Sequence, residues 1–182
     1  MKKLQGSIEI RFDDVLLAGT LTRSMKNSLR HNSFFGHFKE ADKILEENNL
    51  HCHLAIVGKG IEVFPEWVEY IKQRMDRYTI AMHCWEHNFH HGMYEERAFE
   101  QLSLAKQKIE EVFGVSVTRW YVPFGRLYFP EWGLRVSDRL GVEFDLNKEI
   151  KRHFYFHYWN SRDRLRLLRL LKQHGEQLTK TN

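Results

Sequence analysis

The chain has 182 residues, which suits one hydrophobic core, and we predict a single domain over residues 1–182. The sequence is 42% hydrophobic and 14% aromatic, which excludes an intrinsically disordered chain, and no apolar run reaches the roughly 18 residues of a membrane-spanning helix. The net charge of +4 at pH 7 permits an acidic partner without requiring one.

The cysteines and the start of the chain indicate a reducing compartment. Two cysteines, Cys52 and Cys84, do not make a disulfide framework. The chain begins with basic residues, Lys2 and Lys3, but the apolar stretch of a signal peptide does not follow them. We therefore expect a cytoplasmic protein with no membrane association.

The first predicted elements are a strand, an irregular loop and a helix. Residues 7–12 alternate apolar and polar side chains, which predicts a strand that ends at Asp13 and Asp14. Residues 16–36 have no clean period and predict an irregular loop, with or without a short helix, of the kind that often lines a binding site. Apolar residues at helical spacing predict a helix over residues 37–49.

Strands and helices then alternate to the end of the chain. The predicted strands are residues 51–57, 78–82, 119–122, 142–146 and 154–158. The predicted helices are residues 65–77, 94–113, 130–140 and 160–174. About six such alternations predict an α/β fold whose sheet is parallel and whose helices form the crossovers.

Polar and ionisable side chains recur just after the predicted strands. They are Asp13, Asp14, His83, His87, the turn Pro123-Phe124-Gly125, Asp145 and His157. Aspartates at one strand end are more often turn or cap residues. However, the carboxyl ends of parallel strands meet at one edge, where such folds build their sites. The recurrence therefore favours a site formed by residues that are distant in sequence.

The histidine pair His83 and His87 has the spacing of metal ligands. The two residues are four apart in a stretch, residues 81–91, that holds four of the eleven histidines. Two imidazoles at this spacing can face one point, and neutral imidazole binds zinc well, but most such pairs are not ligands unless a third ligand joins them. Glu86 does not directly follow the first histidine as it does in zinc proteases, which disfavours a metalloprotease.

These motifs, in this order, resemble those of the polysaccharide deacetylases, the NodB-homology domains of carbohydrate esterase family four. The first motif of that family, Thr-Phe-Asp-Asp-Gly, matches Arg11-Phe12-Asp13-Asp14-Val15. The second, His-Ser/Thr-x-x-His, matches His83-Cys84-Trp85-Glu86-His87. The resemblance covers about residues 7–175 and implies a distorted, incomplete (β/α) barrel with a mostly parallel sheet.

The later motifs of the family are matched more loosely. The end of the third, Arg-Pro-Pro-Tyr-Gly, aligns with Tyr121-Val122-Pro123-Phe124-Gly125. The aspartate of the fourth is nearest to Asp145, and the Leu-x-His of the fifth aligns with Tyr155-Phe156-His157.

The resemblance implies a role for each matched residue. Asp14, His83 and His87 would bind one divalent cation, with zinc the expected ion. Asp13 would be the general base for a metal-activated water, and His157, tuned by Asp145, would protonate the leaving amine. The backbone near Tyr121 would hold the oxyanion. The substrate would also lie against Pro123, Phe124 and Trp85.

The implied reaction is hydrolysis of an acetyl group from an N-acetylated, or alternatively O-acetylated, sugar or glycan. That makes the chain a hydrolase acting on carbon–nitrogen bonds other than peptide bonds. A second hypothesis is a weak or inactive member that binds a glycan. A third and least favoured hypothesis is a nucleic-acid-associated hydrolase, based on the basic charge and on an arginine-rich last helix.

Three departures from the family pattern bear on activity. Val15 replaces a glycine, so the turn after the aspartates is expected to differ. Cys84 replaces Ser or Thr and brings a thiol next to a metal ligand, where it is a possible competing ligand. Tyr121 replaces the arginine that would orient the base, and we expect Arg119 or Arg126 to supply that guanidinium instead.

Overall fold

The computed structural model of the protein describes residues 9–16, 27–86, 93–123, 131–145, 153–156 and 161–174. Its strands are β1 (Glu9–Val15), β2 (Cys52–Val57), β3 (Tyr78–Cys84), β4 (Arg119–Tyr121), β5 (Glu143–Asp145) and β6 (His153–Phe156). Its helices are α1 (Asn27–Glu47), α2 (Gly60–Val63), α3 (Pro65–Lys72), α4 (Glu95–Phe113), α5 (Gly133–Leu140) and α6 (Ser161–His174). Within these residues, no helix has both the length and the apolar character needed to span a bilayer.

The six described strands form one sheet in the order β5-β4-β3-β2-β1-β6. Every neighbouring pair is parallel. From β1 to β5 the chain steps outward by one strand at a time, and β6 returns to the other side of β1. The sheet is not closed within the described residues, because β5 and β6 form its edges. The predicted α/β class and the incomplete (β/α) barrel with a parallel sheet are confirmed.

The two faces of the sheet differ in chemistry. Alternate residues such as Ile10, Phe12 and Leu54 belong to the large apolar core that the helices cover. We call the opposite side the inner face. It carries small and polar residues, among them Ala55 and Ala81. The functional side chains must therefore be sought on the inner face, since the other side is closed by packing.

The first helix differs from its prediction. The predicted irregular loop over residues 16–36 is wrong for its last part, because α1 already begins at Asn27. Phe35, which falls in the predicted loop, stacks on Trp67 with ring centroids 5.5 Å apart. Such packing stabilises a helix whose sequence has little helical periodicity.

The other helices agree more closely with their predictions. The helix predicted for residues 94–113 is confirmed as α4, and it ends at Gly114, whose φ of 66° suits a residue without a side chain. The helix predicted for residues 65–77 is shorter. It stops at Lys72, and a 3₁₀ turn at Met75–Arg77 leads into β3.

Candidate active site

A bulge at the end of β1 brings two adjacent carboxylates to the same region. Phe12 pairs with Leu54 and Val15 pairs with Ile56, so Asp13 and Asp14 together face one residue of β2. Neighbouring residues of a regular strand point to opposite faces. The bulge, with Asp14 at a left-handed φ of 58°, re-aims the second carboxylate. Aspartate tolerates this conformation better than most residues, which is a local reason for an acid here.

A matching irregularity in β3 presents His83. Ile56 pairs with Met82 and Val57 pairs with Cys84, so His83 is the extra residue of its strand. Its ring is buried and lies between two groups: Nδ1 is 2.6 Å from the carbonyl oxygen of Tyr121, and Nε2 is 3.1 Å from Oδ1 of Asp14. The structure thus brings together two of the predicted metal ligands.

The hydrogen bond to Tyr121 decides what the other ring nitrogen can do. A carbonyl oxygen only accepts, so Nδ1 of His83 carries a proton and donates it. In the neutral ring Nε2 is then a lone-pair acceptor, and it faces an acceptor oxygen of Asp14. Two acceptors at 3.1 Å repel each other unless a proton or a metal ion lies between them.

The donor set fits a zinc ion. A carboxylate oxygen and an imidazole nitrogen are both common zinc ligands, and two such ligands on a tetrahedral ion lie about 3.3 Å apart. The observed separation for Asp14 and His83 is 3.1 Å. The backbone carbonyl on the far side of the imidazole is the outer-shell partner typical of a ligating histidine. No group of three potential ligands occurs among the described residues, and the third predicted ligand, His87, lies outside them.

The departure at Cys84 places a buried thiol next to His83. Its side chain is fully buried, and burial raises the pKa of the thiol well above its usual value, with a further contribution from the carboxylates of Asp14 and Glu86. A protonated thiol is a poor zinc ligand.

The turn that follows the carboxylates accommodates Val15. The positive φ values fall at Asp14 and at Leu16, where φ is 60°, and Val15 is not among the positive-φ residues. Gly60 is the position where a side chain is excluded, because a Cβ there would lie 1.7 Å from the carbonyl oxygen of Leu16. The turn is therefore held by close contact with the start of α2.

Arg11 orients Asp13. Its Nη2 lies 2.6 Å from Oδ2 and its Nε lies 2.6 Å from Oδ1 of that carboxylate. Nη2 donates a hydrogen bond to Oδ2, whereas the contact of Nε with Oδ1 is an ion pair without hydrogen-bond geometry; the two side chains are 1% and 4% exposed. The guanidinium also lies 4.1 Å from the ring centroid of Tyr121. The expectation that Arg119 would hold the base is wrong, and Arg126 lies outside the described residues.

Arg119 instead belongs to a polar network near the amino ends of the strands. Its Nη1 lies 3.4 Å from Oε2 of Glu9 and 3.5 Å from the hydroxyl of Tyr121. That hydroxyl is 2.8 Å from Nδ1 of His53, whose Nε2 is 3.7 Å from the same Glu9 oxygen. Burial raises the pKa of the Tyr121 hydroxyl to about 12, so it stays protonated and can donate.

Sequence reasoning missed Arg11 and His53. Alternate residues of a strand share a face, so an arginine two positions before Asp13 was a detectable partner. No motif or spacing marks His53, because its partners come from β1 and β4.

The remaining predicted site residues lie in several places. Trp85 is half-buried against the apolar core, and a Cβ on Gly58 would lie 2.8 Å from its ring. Pro123 is buried in the turn after β4. Asp145 ends β5 and pairs with Tyr121, but its side chain lies outside the described part. His87, Phe124 and His157 lie outside the described residues.

Comparison with known proteins identifies one family. Residues 4–144 match the sequence model of the polysaccharide deacetylase family. Chitin deacetylase 2 of Cryptococcus neoformans is 24% identical over 82 residues, which are 45% of this chain and 18% of that protein. This chain therefore spans only a small part of that relative, and the extent of the predicted domain stays a prediction.

Solved structures share the fold. A CE4 family pseudoenzyme from Bacillus anthracis superposes with a TM-score of 0.70 at 10% identity, covering 96% of this chain and 63% of that one. A family 4 carbohydrate esterase from Streptomyces lividans, in complex with acetate, superposes with a TM-score of 0.64 at 15% identity, covering 94% and 90%. Identities this low bear on the fold alone.

Proposed function

The chain belongs to the polysaccharide deacetylase family, and we propose that it is a metal-dependent hydrolase that removes an acetyl group from an N-acetylated sugar or glycan. The matched relative named a chitin deacetylase supports an N-acetylated carbohydrate as the substrate class. An O-acetyl ester is the alternative within the same chemistry. Zinc is the metal that we propose.

The observation that carries this proposal is the meeting of Asp14 and His83 beside Asp13. Oδ1 of Asp14 and Nε2 of His83 lie 3.1 Å apart, a separation that suits two ligands of one metal ion, and a carboxylate held by Arg11 stands at the neighbouring position. A cation site next to a general base is the minimum that hydrolysis by an activated water needs. We propose that His87 completes the ligand set.

The residues divide the reaction between them. A zinc ion, when bound, polarises the acetyl carbonyl and lowers the pKa of water toward neutrality. Asp13 takes the proton from the attacking water, whose oxygen bonds to the carbonyl carbon. The carbon–nitrogen bond then breaks, and His157 protonates the departing amine. The products are acetate and a free amino sugar.

An inactive glycan-binding protein is the second candidate. The Bacillus anthracis relative is described as a pseudoenzyme. This chain has a tyrosine at position 121, where the family motif has an arginine. The buried ion pair between Arg11 and Asp13, with its hydrogen bond from Nη2 to Oδ2, favours the enzyme, because the base is held in place despite that change.

The test is acetate release from N-acetylglucosamine oligomers by protein loaded with zinc. Wild-type protein is expected to release acetate, and Asp13→Asn to lose nearly all of the rate. Asp76→Asn is the matched control, because Asp76 is an exposed aspartate at the amino end of β3. Equal rates for wild type and Asp13→Asn, together with glycan binding, would establish the binding protein instead.

Metal analysis gives an independent readout. His83→Ala and His87→Ala are each expected to lower the zinc that copurifies with the protein. His51→Ala should retain the metal, since His51 pairs with Thr79 at the opposite end of the sheet. Unchanged zinc content in both His83→Ala and His87→Ala would refute the metal site.

A further inference from the structure

Two substitutions relative to the family motifs meet in one contact. The first motif has a threonine where this chain has Arg11, and the third has an arginine where this chain has Tyr121. The two residues lie on β1 and β4, 110 positions apart, yet the guanidinium of Arg11 lies 4.1 Å from the ring centroid of Tyr121. Both side chains are almost completely buried.

We propose that Arg11 is the positioning residue of Asp13 and that Tyr121 is the platform that holds it, so that each substitution compensates for the other. The inference rests on the proposed function, because Asp13 is the base of that reaction. The guanidinium that contacts Asp13 comes from β1, the strand that carries this carboxylate, and it lies against the ring that β4 supplies.

The contacts explain why the arrangement is rigid. A hydrogen bond to one oxygen of Asp13 and a close ion-pair contact with the other together restrict the position of that carboxylate more than a single charged nitrogen does. The aromatic ring stabilises the opposite side of the guanidinium by a cation–π contact. Because the ring packs with the small residues Ala55 and Ala81, the inner face has room for both large side chains.

The side chain of Tyr121 is held in place by contacts near the amino ends of the strands. The hydroxyl of Tyr121 lies 2.8 Å from Nδ1 of His53, and Nε2 of His53 lies 3.7 Å from Glu9. The carbonyl of the same tyrosine receives the hydrogen bond of His83. Tyr121 therefore couples the orientation of the base to the orientation of the proposed metal ligand, although its own side chain is buried away from solvent.

The inference is tested by exchanging the two residues. Arg11→Thr and Tyr121→Arg are compared singly and together with the wild type, in zinc-loaded protein acting on N-acetylglucosamine oligomers. Displacing a catalytic group by about 1 Å costs roughly 100-fold in rate, so Arg11→Thr is expected to lower kcat by about that factor with little change in KM. The double variant, which restores the family arrangement, is expected to recover kcat to within about 10-fold of wild type.

Two further variants separate positioning from charge and from folding. Arg11→Lys keeps the positive charge but has one nitrogen in place of the two that contact Asp13, and it should lose most of kcat while retaining its zinc. Arg77→Lys is the matched control, because Arg77 is also a buried arginine paired with an aspartate but lies away from the site. Its Nη2 lies 2.7 Å from Oδ1 of Asp42. The substitution should lower stability and leave kcat unchanged.

The outcomes are distinguishable from a failure of the proposed function. If Arg11→Thr retains the wild-type kcat, or the double variant is no better than the worse single variant, the inference is wrong even though acetate is released. If wild-type protein releases no acetate, the coupling is read from urea unfolding. Tyr121→Arg alone buries two guanidinium groups near one carboxylate, so the double variant must then unfold at higher urea than Tyr121→Arg. The absence of that recovery overturns the inference.

Discussion

Gly60→Ala is the substitution whose effect on the proposed site follows most directly from the structure. A Cβ at this position would lie 1.7 Å from the carbonyl oxygen and 2.6 Å from the carbonyl carbon of Leu16. Side-chain atoms rarely approach closer than 3.0 Å, so the backbone of Leu16 must retreat by more than about 1 Å. Leu16 follows Asp14 by two residues and is itself held at a positive φ, so the turn has little freedom to absorb the movement.

Two consequences are expected from that displacement. Overpacking costs about 1–3 kcal/mol, which for a chain of this size lowers Tm by about 2–12 °C. A movement of about 1 Å at Asp14 is expected to lower kcat for acetate release by roughly 100-fold and to weaken zinc retention.

Gly36→Ala supplies the matched control for this substitution. A Cβ at Gly36 meets nothing within 4 Å, and the residue lies inside α1. Alanine there should raise stability by about 0.5–1 kcal/mol without altering the rate. Thermal unfolding and initial rates of acetate release on the two variants check both expectations. If Gly60→Ala matches the wild type in Tm and in kcat, close packing of Leu16 is not what holds the turn.

Three other predictions concern groups outside the proposed reaction. Asp42→Ala removes the carboxylate that pairs with Arg77 and Tyr78 in the interior, and urea unfolding should show a loss of about 3–5 kcal/mol; a loss under 1 kcal/mol would contradict that role. Burial raises the pKa of the Cys84 thiol, so iodoacetamide should label it at pH 8 only in unfolded protein. Labelling of the native protein at the unfolded rate would show that the thiol is accessible. Burial lowers the pKa of His51, so as the pH falls below 6.5 the unfolded chain takes up a proton before the folded one does and stability decreases. His51→Gln should lose less stability than the wild type between roughly pH 7 and pH 5, and parallel curves would argue against this assignment.

Much of the fold could be predicted from the spacing of apolar residues and from the order of strands and helices along the chain. Buried strands such as β2 and β3 appear as short apolar runs between turn signals, and their alternation with helices implies a parallel sheet. The first half of α1 could not be predicted, since it is stabilised by the packing of Phe35 against α3 and not by its own propensity. Long-range packing of this kind has no local signature.

The site was predictable in its residue types and only partly in its partners. The strand ends implied that Asp14 and His83 would meet, and they lie 3.1 Å apart. The motifs point to a guanidinium beside Tyr121, whereas the partner of Asp13 is Arg11, on the strand that carries the carboxylate itself. Whether β1 or β4 supplies the guanidinium depends on which neighbouring side chains are small enough to leave space for it. That space is set by several strands together.

The residues that carry the proposed chemistry are those at which regular strand geometry breaks down. Asp14 and His83 each stand at a bulge, one in β1 and one in β3, with β2 between them. A regular strand would direct Asp13 and Asp14 to opposite faces, one of which is filled by the apolar core. Burying a carboxylate in that core without a partner would cost several kcal/mol, so the bulge is what permits two consecutive acids in a buried strand. The left-handed backbone at Asp14 costs about 1–3 kcal/mol, and it brings Oδ1 of this carboxylate to 3.1 Å from Nε2 of His83. The alternation of apolar and polar residues therefore predicts strand β1 as far as Phe12. The residues of the proposed site follow directly, at Asp13 and Asp14, where that alternation no longer holds.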